Sequence, residues 1–297
     1  MTLKARITIF LSGCLLAVMT LGVSAEEKPN EDREGGIIGT GIVGTITELG
    51  SVIVNGQRIT YGDDDMARSA LGERLASTLT PGDTVVVVAR PSSQDWVAEQ
   101  IDQHHPAIGP ITLKNGALTL IGASLDLSQA QIETQRLAPT LSDGDWVAVS
   151  GLWKGPVLMV TKLDRIDPRE NAVLSGSYMP RSDNAFMIGG SIVGGLDLEH
   201  VDAGDSVTVT GAPSPNGIQA SEVRIGLFSE PMYRIIAQGY MSAPTPTGLY
   251  TILGSGMVSF TDQPEMIDTQ SAGVFCLSME GNEDLATVTS DSLGACR

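Results

Sequence analysis

Cys276 and Cys296 stand near the C-terminal end of a 297-residue chain, far in sequence from His104, His105 and His200 and without the local signature of a catalytic thiol. In an oxidising compartment two such cysteines pair, so a Cys276–Cys296 disulfide pinning the polar residues 290–297 is expected, with two unpaired thiols as the alternative. His104-His105-Pro106 places two imidazoles side by side, a pairing suited to a soft divalent metal. On an extended segment, however, adjacent side chains point to opposite sides, and a linker role is expected. Asp63-Asp64-Asp65 offers oxygens suited to Ca²⁺ but lacks the glycine-spaced loop of a calcium site, so a solvated turn capping a following helix is expected. Gly39-x-Gly41-x-x-Gly44 has the letters of a dinucleotide fingerprint without its context, because a strand follows where a helix would be needed. Those glycines read as strand residues that bend and pack closely. Gly254-Ser255-Gly256 lies in a strand-rich stretch with no histidine nearby, unlike a nucleophile elbow. No catalytic residue, metal ligand or cofactor site is therefore expected. Trp96, Trp146 and Trp153, and the cluster Tyr233, Tyr240, Tyr250, Phe260 and Phe275, are expected to fill cores more than to line a binding surface.

The elements that would hold these residues repeat along the chain. Residues 79–88 (LTPGDTVVVV), 141–150 (LSDGDWVAVS) and 201–210 (VDAGDSVTVT) recur at spacings of 62 and 60 residues. Each sets a Gly-Asp turn before a strand with alternating apolar positions, and a second strand follows a turn rich in Pro, Gly, Ser or Asn. Asp83, Asp145 and Asp205 recur at equivalent places and tempt one to see a shared metal site. The simpler reading is an aspartate that accepts backbone hydrogen bonds within its turn. Upstream of each pair lies another β-rich half, and in the first of these Asn55-Gly56 between two apolar runs is a strong hairpin signal. A degraded fourth copy, without the Gly-Asp pair, is expected around residues 272–290.

Between the halves of the first repeat, Ala67, Leu71, Leu75 and Leu79 recur every four residues, which predicts a short amphipathic helix. Three strands, a helix and two strands is the order of an oligonucleotide/oligosaccharide-binding (OB-type) barrel. A shorter helix fits within 126–137, and 195–203 barely has room for one. The expected fold is all-β: tandem small OB-like five-stranded β-barrels with a short helix in the first repeat. Units of about 60 residues bury little surface alone, so neighbours are expected to pack on one another. The repeats are assigned to residues 37–105, 106–169, 170–229 and 230–297, the last including a C-terminal tail.

Lys4 and Arg6, an apolar stretch over 7–18 and Val23-Ser24-Ala25 read in order as the parts of a cleavable signal peptide, residues 1–25. A charged stub, 26–36, without apolar periodicity follows and is expected to be disordered. The rival is a lipobox at Leu11-Ser12-Gly13-Cys14 with lipidation of Cys14, against which stand a very short apolar lead and an apolar run continuing past the cysteine. The apolar stretch is also short for a stable membrane span. Cleavage removes two basic and no acidic residues, leaving 16 Lys+Arg against 35 Asp+Glu, a net charge of −19. Such a field repels phosphate backbones, so nucleic acid is excluded as a partner.

Residues 39–59 (GTGIVGTITELGSVIVNGQRI), followed by 81–88 (PGDTVVVV), resemble a bacterial exported family known as domain of unknown function 5666. Its pattern is a glycine-rich strand, Gly-Ser-apolar-apolar-Val-Asn-Gly, and a Gly-Asp-x-Val-x-Val strand. The resemblance covers 37–102 best and reaches the repeats at 108–166 and 172–226 through their Gly-Asp strands. It implies a small extracytoplasmic β-domain and carries over no activity and no catalytic residue. The expected role is thus a non-enzymatic binding or structural protein of the cell envelope, periplasmic or secreted, whose partner is an envelope protein or glycan. The alternatives are a ligand-binding module for an envelope glycan, peptide or divalent cation, and an envelope hydrolase with an unrecognised site.

Overall fold

The structure, a computed structural model, describes residues 39–48, 52–93, 95–114, 116–181, 185–196, 198–278 and 285–288. The expected signal peptide with Cys14, the expected charged stub and Cys296 lie outside them. The described residues are all-β but for one short α-helix and three turns of 3-10 helix.

The first repeat contains β1 (Thr40–Glu48), β2 (Val52–Val54), β3 (Gln57–Thr60), β4 (Met66–Ser69), β5 (Gly72–Leu75), β6 (Thr84–Pro91) and β7 (Trp96–His104). Asn55 and Gly56 join β2 to β3 with φ of 57° and 71°, the paired positive values a two-residue hairpin turn requires. The hydrogen-bonded path runs from β1 through β2 and β3 to β7, where the pairing is parallel, then to β6, and returns to β1. The second repeat contains β8 (Ala107–Lys114), β9 (Ala117–Leu120), β10 (Ala123–Asp126), α1 (Ile132–Leu137), β11 (Trp146–Lys154) and β12 (Val157–Ile166). The third contains β13 (Ala172–Pro180), β14 (Phe186–Ile188), β15 (Ser191–Gly194), β16 (Ser206–Ser214) and β17 (Gly217–Ile225). Each repeats that path: β8-β9-β10-β12-β11 and back to β8, and β13-β14-β15-β17-β16 and back to β13. In each case the third strand meets the last in parallel.

The fourth repeat contains β18 (Arg234–Gly239), β19 (Leu249–Ile252), β20 (Met257–Phe260), β21 (Gly273–Ser278) and β22 (Leu285–Val288). Here β18, β21 and β22 pair in series, while β19 and β20 form a separate hairpin tied back by a single Met241–Ile252 bridge.

The helix expected over residues 67–79 is absent, and the sequence there folds as the β4–β5 hairpin followed by one 3-10 turn at Ala76–Thr78. Gly72 adopts φ of 120°, outside the helical region, and the Ser69 hydroxyl closes the turn by accepting from Leu71 N–H and donating to Gly72 O. Of the four residues whose spacing suggested a helix, Ala67 and Leu79 are buried, whereas Leu75 is 43% exposed. The two buried residues at that spacing belong to different elements, Ala67 to β4 and Leu79 to the chain just beyond the 3-10 turn, and β5 between them buries none. The α-helix falls instead in the second repeat, within the stretch 126–137 expected to hold a shorter one.

The first strand of each of the first three repeats leaves half of one edge free, because its own second strand covers only the far end. A neighbouring repeat fills that edge: β1 pairs in parallel with β18, and β8 pairs antiparallel with β13. Repeats one and four thus share one ten-stranded sheet, and repeats two and three another. Covering the edges leaves no template for pairing with another chain at these strands. The cores follow the same partition. Ile42, Ile46, Val85, Val87 and Trp96 pack inside the first repeat, while Val43 and Val86, on the other face of the same strands, pack against Ala237, Ile252 and Phe275 of the fourth. Repeats two and three bury a continuous cluster from Ile111 to Val209, which includes Trp146 and Trp153 and extends to Tyr240 and Leu253.

Candidate functional site

The recurring aspartates sit in one turn built three times. Asp83, Asp145 and Asp205 accept through Oδ2 from the backbone N–H three residues earlier, of Thr80, Ser142 and Asp202, at 2.8, 2.8 and 2.9 Å. The preceding glycines, Gly82, Gly144 and Gly204, take φ of 92°, 87° and 101° and donate back to Ile46, Ile111 and Tyr178 in the first strand of their repeat. The turn reading of the Gly-Asp pair therefore holds.

What differs is what else meets the carboxylate. Asp83 is fully buried and is held by Arg74 at 3.0 Å, by Lys162 of β12 at 2.9 Å and by Gln103 at 3.1 Å. Lys162 also donates to Thr80 Oγ1, Thr161 Oγ1 donates to Gly82 O, and Gly151 N–H donates to Thr84 Oγ1. These contacts join the first and second repeats. Asp145 meets Arg165 at 2.8 Å and is partly exposed. Among the described residues, Asp205 has its turn contacts alone.

His104 ends β7, and His105 follows it beside this buried ion cluster. Burial, then Arg224, hold the His104 imidazole down to about 4, against the opposing pull of Asp102. Burial, then the neighbouring His104, hold His105 down to about 3, with Asp83 opposing and Arg74 and Lys162 adding to the depression. Both rings are neutral at neutral pH. His105 is 6% exposed, and among the described residues neither of its ring nitrogens has a hydrogen-bond partner.

The two histidines form the joint between β7 and β8, as expected of a linker, and both border one cleft. It has a volume of about 350 Å³ and lies between the first repeat, the third repeat and the segment joining the third to the fourth. Arg68, Gln100, Asp102 and Gln103 form one wall, Ser175, Thr208 and Arg224 the other, and Leu227 and Ser229 the end. Arg68 grips Asp102 through Nε and Nη2 at 2.9 and 3.5 Å, and Gln100 donates to the same carboxylate at 2.6 Å. Ser175 and Thr208 share a hydrogen bond of 2.8 Å. Arg224 donates to Leu227 O at 3.4 Å. The position of Arg68, Arg224 and Ser229 around the histidines depends on how repeats that belong to two separate sheets come together, and only the His-His doublet is a local signal for it.

The other singled-out residues have structural places. Asp63, Asp64 and Asp65 form an exposed turn in which Asp65 accepts from Gly62 N–H at 2.7 Å; a strand, not a helix, follows. A side chain at Gly41 would run into the Phe228 ring, and one at Gly44 into Asn55, so these glycines serve close packing along β1. Gly254-Ser255-Gly256 is the β19–β20 turn, docked on the third repeat through Gly254 N–H to Ser177 Oγ at 2.9 Å. Trp96, Trp146, Trp153, Tyr240 and Phe275 are buried, while Phe260 is 62% exposed on its hairpin. Cys276 is buried on β21 opposite Ile236, and its expected partner Cys296 lies outside the described residues. Among the described residues no group of three or more His, Cys, Asp or Glu side chains is placed to hold a metal ion, and no helix is long and apolar enough to cross a membrane.

No curated protein and no solved structure matches the chain. Residues 40–102, running from the start of β1 nearly to the end of β7, match the model of a family described as Domain of unknown function (DUF5666), and this segment resembles that family.

Proposed function

We propose that the chain is an exported, non-enzymatic binding or structural protein of the cell envelope, periplasmic or secreted, whose first three repeats are OB-like five-stranded barrels and whose fourth is an opened copy. The barrel reading is supported by the strand path that returns to its start in three repeats, with the third and last strands parallel. The envelope reading rests on the signal-like residues 1–25 and on the pair Cys276 and Cys296, which an oxidising compartment would join.

The observation that carries a binding role is the polar cleft between repeats one and three. Side chains from segments far apart in sequence converge there, as they do at recognition sites between modules. The Gly-Asp carboxylates, by contrast, are engaged by their own turns, which favours a scaffolding role for them over a cation site. The fold by itself assigns no ligand.

Crosslinking in the native envelope, followed by mass spectrometry, tests the role without guessing the partner's class. A reproducible adduct to an envelope protein or glycan through residues of the first or third repeat is the expected result. Turnover of an envelope polymer by purified protein, abolished by a point substitution, would replace the reading with a hydrolase.

A further inference from the structure

We propose that the cleft between the first and third repeats binds a small organic monoanion: a carboxylate carried on a polar, hydroxyl-bearing body about the size of a sugar acid. The site stands on its own geometry, whatever compartment the chain occupies.

The charge balance points to an anion. Arg68 and Arg224 face the cleft from different repeats, and Asp102 is the acidic side chain among its lining residues. Asp102 is already taken by Arg68 and Gln100, so its charge is neutralised within its own wall. Among the described residues Arg224 has one long hydrogen bond, to the Leu227 carbonyl, and its guanidinium retains donors for a ligand. His104 beside it is neutral at neutral pH and leaves this charge uncompensated. The chain as a whole carries a net charge of −17, and an uncompensated guanidinium in it is a place for a counter-anion.

One unpaired guanidinium suits a monoanion. A carboxylate matches the planar fork of arginine, whereas a phosphate dianion would leave a second charge unmet among neutral groups. The rest of the lining selects the body. Ser175, Thr208, Ser229 and Gln100 bring hydroxyls and an amide, suited to hydroxyl groups and poorly suited to an aliphatic chain. The cleft's 350 Å³ falls at the small end of ligand pockets, which sets the size.

Calorimetric titration of the full mature chain with glucuronate, glucose, hexanoate and inorganic phosphate at low ionic strength tests each part. Saturable heat with glucuronate, with at least tenfold weaker binding of the other three, is expected. Arg224→Gln should weaken glucuronate at least tenfold and Arg224→Lys less. Ser229→Asp, which sets a carboxylate at the cleft end from another segment, should weaken it to the same degree as Arg224→Gln. Thermal melting confirms that each variant folds, as these exposed positions allow. The inference is overturned by an absence of saturable glucuronate binding up to about 10 mM, by glucose, hexanoate or phosphate binding as tightly, or by binding that both Arg224→Gln and Ser229→Asp leave unchanged.

Discussion

His104 and His105 set the acid response of the molecule. Both rings have folded-state pKa values, about 4 and about 3, well below the unfolded value of 6.5. Between these limits the unfolded chain binds more protons than the folded one, so stability is fully present above pH 6.5 and falls as pH drops towards 4. The groups facing the pair explain the direction. Arg224 meets His104, and Arg74 and Lys162 stand near His105, so a proton arriving there joins existing positive charge that Asp102 and Asp83 only partly offset. Urea unfolding at pH 7 and pH 4.5 should show a loss on the order of a few kcal/mol, given about 1.4 kcal/mol per pKa unit. His105→Leu should leave stability at pH 7 unchanged or raised, because it removes two unpartnered nitrogens, and should cut the acid loss by roughly half. An acid loss of wild-type size in that variant would assign the effect to other groups.

At the scale of the element, one turn carries three different loads. Asp83→Ala removes the turn acceptor and also strands Lys162 and Arg74 at the joint between repeats, so it should cost about 3–5 kcal/mol. Asp145→Ala and Asp205→Ala lose the turn bond, with only a part-exposed arginine in addition for Asp145, and should cost about 1 kcal/mol each. Equal losses at all three positions by chemical denaturation would mean that the Asp83 cluster contributes nothing beyond its turn. The turn itself is legible in the sequence, because Gly-Asp is a local signal whose hydrogen bonds close within four residues. So are the Asn55-Gly56 hairpin and the strands after each Gly-Asp. The helix that the spacing predicts over 67–79 does not form for a physical reason: Ala67 and Leu79 are buried at a multiple of four residues, but the Ser69 and Gly72 turn chemistry between them dictates a hairpin. Both faces of β6 are buried, although alternation suggested only one, because Val86 meets the fourth repeat.

Across the whole molecule, the chain returns on itself: the last repeat supplies β18 to the free edge of β1, and the third supplies β13 to that of β8. The sequence announces the repeats but not which of them pair. That choice depends on edges left open by short second strands, and the cleft of Arg68, His104 and Arg224 exists only once the first and third repeats meet. Export is the claim on which compartment, disulfide and role all depend. Intact mass of the protein recovered from fractionated cells, with and without reductant, tests it most directly. A chain beginning at Glu26 in the periplasm or medium, two hydrogens lighter before reduction through a Cys276–Cys296 bond, is the result this account predicts. A cytoplasmic chain still carrying residues 1–25 with free thiols, or a lipid adduct on Cys14, would contradict it.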